Sequence, residues 1–388
     1  MRFNASKEPV TMTRRERLMR TLRGETVDRP PVCFYEINGL DEHPDDSDPF
    51  NIYSDPSWRP LIELARDHTD RIVMRGAAFH GVQPDPVEAL SESETFIKNG
   101  SRHILHTIRA NERVLSSRAR HDPGVNTVWA EEHLLKHEDD LRAFLSLSPP
   151  DFSGMPDLFG ILEAERALGD TGIVMIDTPD PLCLAASLFD MGTYGMIAMT
   201  QPALFRELLD FFFPMLLSRT QAVAAALPGR LWRIYGPEYA APPHLPPGLF
   251  REFVTPYVTP MIKAIQQHGG YGRVHSHGRL RDILDAIAEM GADGLDPIEP
   301  PPQGDVELGW VRARYGRDMV LFGNLEISDI EALPTDRFRE KVKRALDAGT
   351  RGPGRGFVLM PSACPYGRNL PALTVHNYEA IVECVAAL

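Results

Sequence analysis

Cysteine is scarce in this sequence. Cys33, Cys183, Cys364 and Cys384 are four residues among 388 and show no paired spacing. A disulfide framework is therefore excluded, and a reducing interior, the cytoplasm, is the expected compartment. Long apolar runs are missing too: no stretch approaches the roughly 20 residues of a membrane span, and no secretory h-region opens the chain. Excess positive charge is also absent. With 41 Lys and Arg against 54 Asp and Glu, the net charge is −13, which argues against nucleic acid or an anionic membrane as partner and leaves small molecules or proteins. Repeats of fixed short period and low-complexity tracts do not occur.

What is present is the pattern of a soluble α/β protein. With 43% apolar and 24% charged residues, the chain is long enough for one large barrel or two domains. Short runs rich in Val, Ile and Phe recur at Pro31 to Tyr35, Arg71 to Met74, Gly172 to Ile176, Leu231 to Tyr235, Gly272 to His275, Gly294 to Pro297, Met319 to Phe322 and Phe357 to Met360. Helical periods fit between most of them, at Leu61 to Asp67, Leu158 to Leu168, Ala203 to Ala226, Leu249 to His268, Leu280 to Met290, Asp305 to Tyr315 and Arg337 to Asp347, with Val375 to Leu388 closing the ring. Eight such strands are what a single (β/α)8 TIM barrel requires.

Almost a hundred residues separate the second strand from the third. Within that gap Glu92 to Trp129 alternates apolar and polar positions, with Asn99-Gly100 as a hairpin turn and a helical stretch at Leu134 to Leu147. The expectation is one domain over residues 1–388, with a β-rich insertion at about 88–150 lying over the barrel mouth. An independent second domain is the alternative. The basic stretch from Thr11 to Gly24 (Arg14, Arg15, Arg17, Arg20 and Arg23 around Leu18, Met19 and Leu22) fits a short helix under the barrel better than a transit peptide.

Barrels carry their chemistry just past the carboxyl ends of their strands. That rule selects Glu36, Asn38, Asp177, Asp180, Glu238, His275, His277, Asp296, Glu299, Asn324 and Cys364. His275 and His277 alternate in an extended chain and so share a face. The pair is half of a metal site or, with equal weight from the tripeptide alone, a hydrogen-bonded structural histidine beside a solvated one. Glu238 ends the fourth strand beside the fifth, so a carboxylate can meet the imidazoles. Cys364 follows the eighth strand and would have to reach inward to add its sulfur.

Other signals are weaker. The loop from Gly349 to Gly356 is glycine-rich and cationic, near where barrels often hold phosphate, but it precedes a strand and is neither a Walker loop nor a dinucleotide fingerprint. His133 and His137 have helical spacing, and with His103 and His106 they suit a metal only if their segment is one helix. Asp45-Asp46-Ser47-Asp48 lacks the glycine and closing glutamate of a calcium loop. Cys33, Cys183 and Cys384 read as small buried apolar residues.

The order of these landmarks resembles the uroporphyrinogen decarboxylase superfamily: Arg15 to Pro31, Thr127 to Asp140, Val274-His275-Ser276-His277-Gly278, Gly291 to Pro297, Phe322 to Glu326 and Phe357 to Tyr378 carry the likeness. It implies a single (β/α)8 barrel with its site at the carboxyl face. The decarboxylase proper holds its substrate with an arginine-rich stretch after the first strand, and here no arginine occurs between Arg29 and Arg59. The other branch, the corrinoid-dependent methyltransferases, binds zinc through His-x-Cys after strand five and a Cys after strand eight, which in this chain are His275, His277 and Cys364. His277 stands where that pattern has Cys, so a bound metal would carry one thiolate in place of two and be more Lewis acidic.

The resemblance thus implies a zinc-dependent methyltransferase that takes or delivers the methyl group of a methylcobamide on a partner corrinoid protein. Its small-molecule donor or acceptor would be of methoxylated or methylamine type. Glu238 is expected as fourth ligand or substrate-orienting base, with Asp177 and Asn324 as further catalytic residues. The rival is a metal-free decarboxylase or lyase of a small acid, with Asp177 or Glu238 ionised and His275 as donor. A barrel that only binds a ligand is the third reading.

Overall fold

A computed structural model of the chain describes residues 12–80, 90–149 and 154–388. Its strands are β1 (Arg71–Arg75), β2 (Ala78–His80), β3 (Ser91–Lys98), β4 (Ser101–Ala110), β5 (Arg113–His121), β6 (Val128–Glu132), β7 (Met155–Asp157), β8 (Gly172–Pro179), β9 (Leu231–Tyr235), β10 (Tyr271–His275), β11 (Gly294–Asp296), β12 (Val320–Leu325) and β13 (Phe357–Pro361). Seven of them form one parallel sheet in the order β1-β8-β9-β10-β11-β12-β13. The sheet curls until one segment, Pro31–Tyr35, touches both ends. Cys33 N donates to Leu359 O at 3.1 Å and Leu359 N to Pro31 O at 2.9 Å, while on the other side Asp70 N donates to Val32 O at 2.7 Å.

Alternation along each strand sorts side chains between the two faces of this barrel-like curl. Val73, Val174, Ile176, Trp232, Ile234, Val274, Leu295, Leu321 and Leu359 face outward into the larger core under the helices. Cys33, Tyr35, Ile72, Ile173, Met175, Leu231, Val320, Phe322, Val358 and Met360 face inward and pack with Leu18 and Leu22. Those two leucines come from the helix Arg14–Arg23. Thr13 caps its start by accepting from Glu16 N, and Gly24, at φ +73°, ends it in the left-handed region that glycine tolerates. Each leucine buried there contributes on the order of 1.5–3 kcal/mol. The basic stretch is neutralised by its neighbours: Arg17 pairs with Asp28 and Asp70, each at 2.6 Å, and Arg29 with Asp70 at 2.7 Å. Thr11, where that stretch begins, lies outside the described residues.

Between β1 and β8 the chain builds a four-stranded antiparallel sheet, β3-β4-β5-β6. Asn99 and Gly100 turn β3 into β4 with φ of +52° and +82°, both in the region a two-residue hairpin needs. The β5–β6 connection is tied to the loop after β13, with Asn126 N donating to Tyr366 O and Arg368 N to Gly124 O, each at 2.8 Å. The boundaries expected at 88 and 150 fall outside the described residues.

Two helix expectations change, and one loop is located. The span Leu249 to His268 is two helices, Pro247–Phe253 and Thr255–Gln267, because Pro256 has no N–H and its ring excludes the carbonyl four residues back. His133 and His137 do not share a helix, since helix Glu138–Leu145 starts after His137, which is extended. The glycine-rich loop 349–356 lies before β13, at the strands' amino ends. There Arg312 donates to the carbonyls of Arg351, Gly316 and Gly352, and Arg355 pairs with Asp293 at 3.0 Å. Among the described residues no helix is long and apolar enough to cross a membrane.

Candidate functional site

Above the apolar floor of Leu18, Leu22 and their neighbours, the inward positions of the same strands turn polar. On β10, Tyr271, Arg273 and His275 alternate inward; on β9 Leu231 is followed by Arg233; on β8 Met175 is followed by Asp177. Asp296 on β11 stands in register with His275. Six groups thus share the carboxyl half of the interior: Tyr35, Asp177, Arg233, Arg273, His275 and Asp296.

They are paired. Arg233 donates to both oxygens of Asp177 at 2.6 and 2.8 Å and also to the Tyr35 hydroxyl, a bidentate arrangement that holds the planar guanidinium in one orientation. Arg273, 1% exposed, sits over the Phe322 ring, with Nε 2.7 Å from Asp296 Oδ1 and Nη2 donating to Oδ2 at 3.1 Å. The Nε approach is an ion contact without hydrogen-bond geometry. Burial alone would raise the Asp296 carboxyl, but Arg273 and His275 outweigh it and bring its pKa down to about 2.

Both histidines are held from behind by a carboxylate. His275 Nδ1 is 2.7 Å from Asp296 Oδ2, and His277 Nδ1 is 2.9 Å from Glu299 Oε1, whose other oxygen accepts from Gly278 N at 2.9 Å. The ring centroids of the two imidazoles are 4.7 Å apart, edge to face, and Tyr35 lies parallel to His275 at 6.0 Å. Burial opposes charge on His277, but the Glu299 bond prevails and raises its pKa. The same bond, against burial, lowers that of Glu299.

The remaining expected residues are less convergent. Cys364 donates its thiol hydrogen to Glu36 Oε2 at 3.2 Å, and burial together with Glu36 pushes that thiol well above its ordinary pKa. Glu238 Oε2 accepts from Gly236 N at 2.9 Å; its charge still reaches His277. Asp180 is wholly buried, accepts from Cys183 N and has its pKa raised well above the ordinary value, first by burial. Asn38 lies under the rim, with its N–H to Glu42 and its side chain to Asp41. Asn324 borders a cleft of about 320 Å³ between the end of β12 and the helices Leu308–Tyr315 and Thr335–Thr350. Among the described residues no three His, Cys, Asp or Glu side chains are gathered closely enough to hold a metal ion. As donors for such an ion, two imidazoles with their Nδ1 atoms already engaged suit it, whereas the thiol is turned to Glu36.

Arg233 and Arg273 escaped the strand-end rule because they lie within strands, and Tyr35 because it ends the segment Pro31–Tyr35, one residue before the position the rule selects. For the two arginines the signal was available: a lone charged residue inside an otherwise apolar run, as Arg233 in Leu231-Trp-Arg-Ile-Tyr235, faces either solvent or a polar interior.

Compared with known proteins, residues 133–388 match the family model for uroporphyrinogen decarboxylase (URO-D). No curated protein matches the sequence. Among solved structures, a methyltransferase from Methanosarcina mazei is similar with a TM-score of 0.61 and 16% identity, over 97% of this chain and 99% of its own. A D-psicose 3-epimerase from Clostridium cellulolyticum H10 reaches a TM-score of only 0.35 at 13% identity, over 60% and 83% of the two chains. The family match takes in more than half of the sequence, β8 to β13 and both histidines included, and the chain belongs to the uroporphyrinogen decarboxylase family.

Proposed function

We propose that this protein is a methyltransferase on a (β/α)8 barrel closed by Pro31–Tyr35, moving a methyl group between a corrinoid protein and a small acceptor or donor. Zinc is proposed to be held by His275, His277 and Cys364. The observation that carries this reading is the matched pair of carboxylate-backed imidazoles: Asp296 and Glu299 occupy both Nδ1 atoms, so each Nε2 is left as the ligating nitrogen, which is how metal-binding histidines are oriented. The fold likeness to a methyltransferase supports the reaction class proposed. Bound zinc would lower the pKa of an incoming thiol or hydroxyl.

The chain's own residues do the rest. Asp296 and Glu299 fix the rings, and Glu36 accepts the thiol hydrogen of Cys364, which would have to leave for the sulfur to hold a metal. Glu238, Asp177 and Asn324 are proposed to orient the substrate from the ends of β9, β8 and β12, and a cytoplasmic setting keeps the thiol reduced. Zinc content by inductively coupled plasma analysis tests the proposal, with about one ion per chain in the wild type and loss in His275→Ala and Cys364→Ala as the expected result. Zinc that is substoichiometric and indifferent to both changes would remove the metal.

A second reading has its own support. A metal-free decarboxylase or lyase accounts for Cys364 bonding to Glu36, and for buried arginines beside the imidazoles. Activity on a small carboxylic acid that survives exhaustive chelation and needs no corrinoid protein would select it.

A further inference from the structure

The two imidazoles are held by different means. Glu299 is anchored by the N–H of Gly278, next to the histidine it serves, whereas Asp296 leans on a side chain, Arg273. Arg273 and His275 lie two residues apart on β10 and project to the same side, with Asp296 in register on the adjacent strand. The guanidinium has little freedom. Asp296 takes Nε and Nη2 at 2.7 and 3.1 Å, and the Phe322 ring centroid lies 4.7 Å from its Cζ. A Cβ at Gly294 would come within 3.0 Å of the same ring and 3.4 Å of Arg273 Cγ.

We infer that Arg273 is a positioning residue for His275, acting through Asp296 to fix which ring nitrogen carries the proton and how the ring is turned. The geometry supplies the reason. A carboxylate gripped by a guanidinium only accepts hydrogen bonds, so His275 must present an N–H at Nδ1, and in the neutral tautomer this selects, the lone pair is on Nε2. Without the guanidinium, one hydrogen bond from the ring to a mobile buried carboxylate sets the ring. The inference touches the proposed function only where zinc is the probe; the proton's place on the ring does not depend on it.

The test uses the full-length, metal-free protein labelled with 15N histidine, His275 being assigned among the 13 histidines by its loss in His275→Gln. Wild type is expected to give one Nδ1-protonated species. Asp296→Asn, which offers an amide donor to the same nitrogen, is expected to move the proton to Nε2. Arg273→Met is expected to give mixed tautomers, and Arg273→Lys, which keeps the charge without the fork, to restore part of the single signal. Gly294→Ala, which disturbs the packing of Arg273 and changes no charge, should broaden it. In competition titrations with zinc alone, Arg273→Met should bind about 10- to 100-fold more weakly than wild type, as loss of an outer-shell partner does. An unchanged His275 spectrum in folded Arg273→Met and Arg273→Lys overturns the inference, whatever zinc does. An altered spectrum with no zinc bound by any form, wild type included, leaves the positioning role standing and sinks the zinc reading.

Discussion

The two halves of the interior enclosed by the curled sheet draw on overlapping strands and differ in what they bury. The amino-terminal half is filled by Leu18, Leu22, Ile72, Ile173, Leu231, Val320 and Val358, where each side chain stabilises simply by leaving water. Farther along β8 and β9, and on β10 and β11 between them and β12, Asp177, Arg233, Arg273 and Asp296 hold charge, which repays its desolvation only through close pairing. The lower half holds the sheet together, and the upper half keeps His275 and its polar neighbours in fixed orientations. Substitutions in the two halves should therefore fail in different ways.

The largest effect is expected where pairing is broken on one side. Asp296→Ala leaves Arg273, 1% exposed, without its counter-ion and should cost about 3–5 kcal/mol in urea unfolding. Replacing both members, as Arg273→Met with Asp296→Leu, should recover stability to within about 1 kcal/mol of wild type, since apolar packing substitutes for a buried ion pair, yet leave zinc binding impaired. A double variant as unstable as the single one would mean that the charged layer is itself a main source of stability, and the contrast between the halves would fail.

Truncation in the floor comes next. Leu22→Ala should cost about 2–4 kcal/mol through lost burial and the cavity left behind, with zinc affinity and His275 chemistry unchanged in the folded fraction. If the Nε2 environment of His275 moved in Leu22→Ala, the halves would be coupled through the strands. The two could then no longer be treated separately.

This division explains what was legible in the sequence. Apolar runs such as Leu231–Tyr235 and Phe357–Pro361 announced the strands because strands buried on both sides need apolar residues at nearly every position. Pro31–Tyr35 was legible by the same rule, although it makes only an isolated bridge to β13. His275 and His277 stood out by spacing. Their backing carboxylates lie 21 and 22 residues onward, on and after the next strand, and appeared only as members of a list of strand-end residues. The pairing of Cys364 with Glu36 spans 328 residues of sequence and depends on how the last loop folds across the rim, for which no local pattern exists. Arg273 was hidden for a different reason: a rule that looks past strand ends ignores the middle of a strand.

Acid should separate the halves by pH. The depressed pKa of Asp296, about 2 against an ordinary 3.8, means that the folded state binds its proton less readily than the unfolded chain does. Its contribution is fully present above pH 4 and is lost as pH falls toward 2. A shift of that size corresponds to roughly 2 kcal/mol. Urea midpoints taken between pH 5 and 2 should fall more steeply for wild type than for the Arg273→Met, Asp296→Leu double variant, whereas Leu22→Ala should keep the wild-type slope.

The smallest effect is expected at the rim, where His277 meets Glu299. His277 has a raised pKa, so in the metal-free protein its contribution is present below the unfolded value near 6.5 and is lost as pH rises through the higher folded value. Glu299 has a lowered one, so its share is present above the unfolded value near 4.5 and fades as pH falls through the folded value. The pair therefore favours folding most between those limits. With the His277 side chain 36% exposed, solvent screening should hold the effect below about 1 kcal/mol. In Glu299→Gln the decline of the urea midpoint as pH rises above about 6.5 should vanish. A decline that persisted there would place its origin in another group and would leave Glu299 with the hydrogen bond alone, orienting the His277 ring without stabilising its charge.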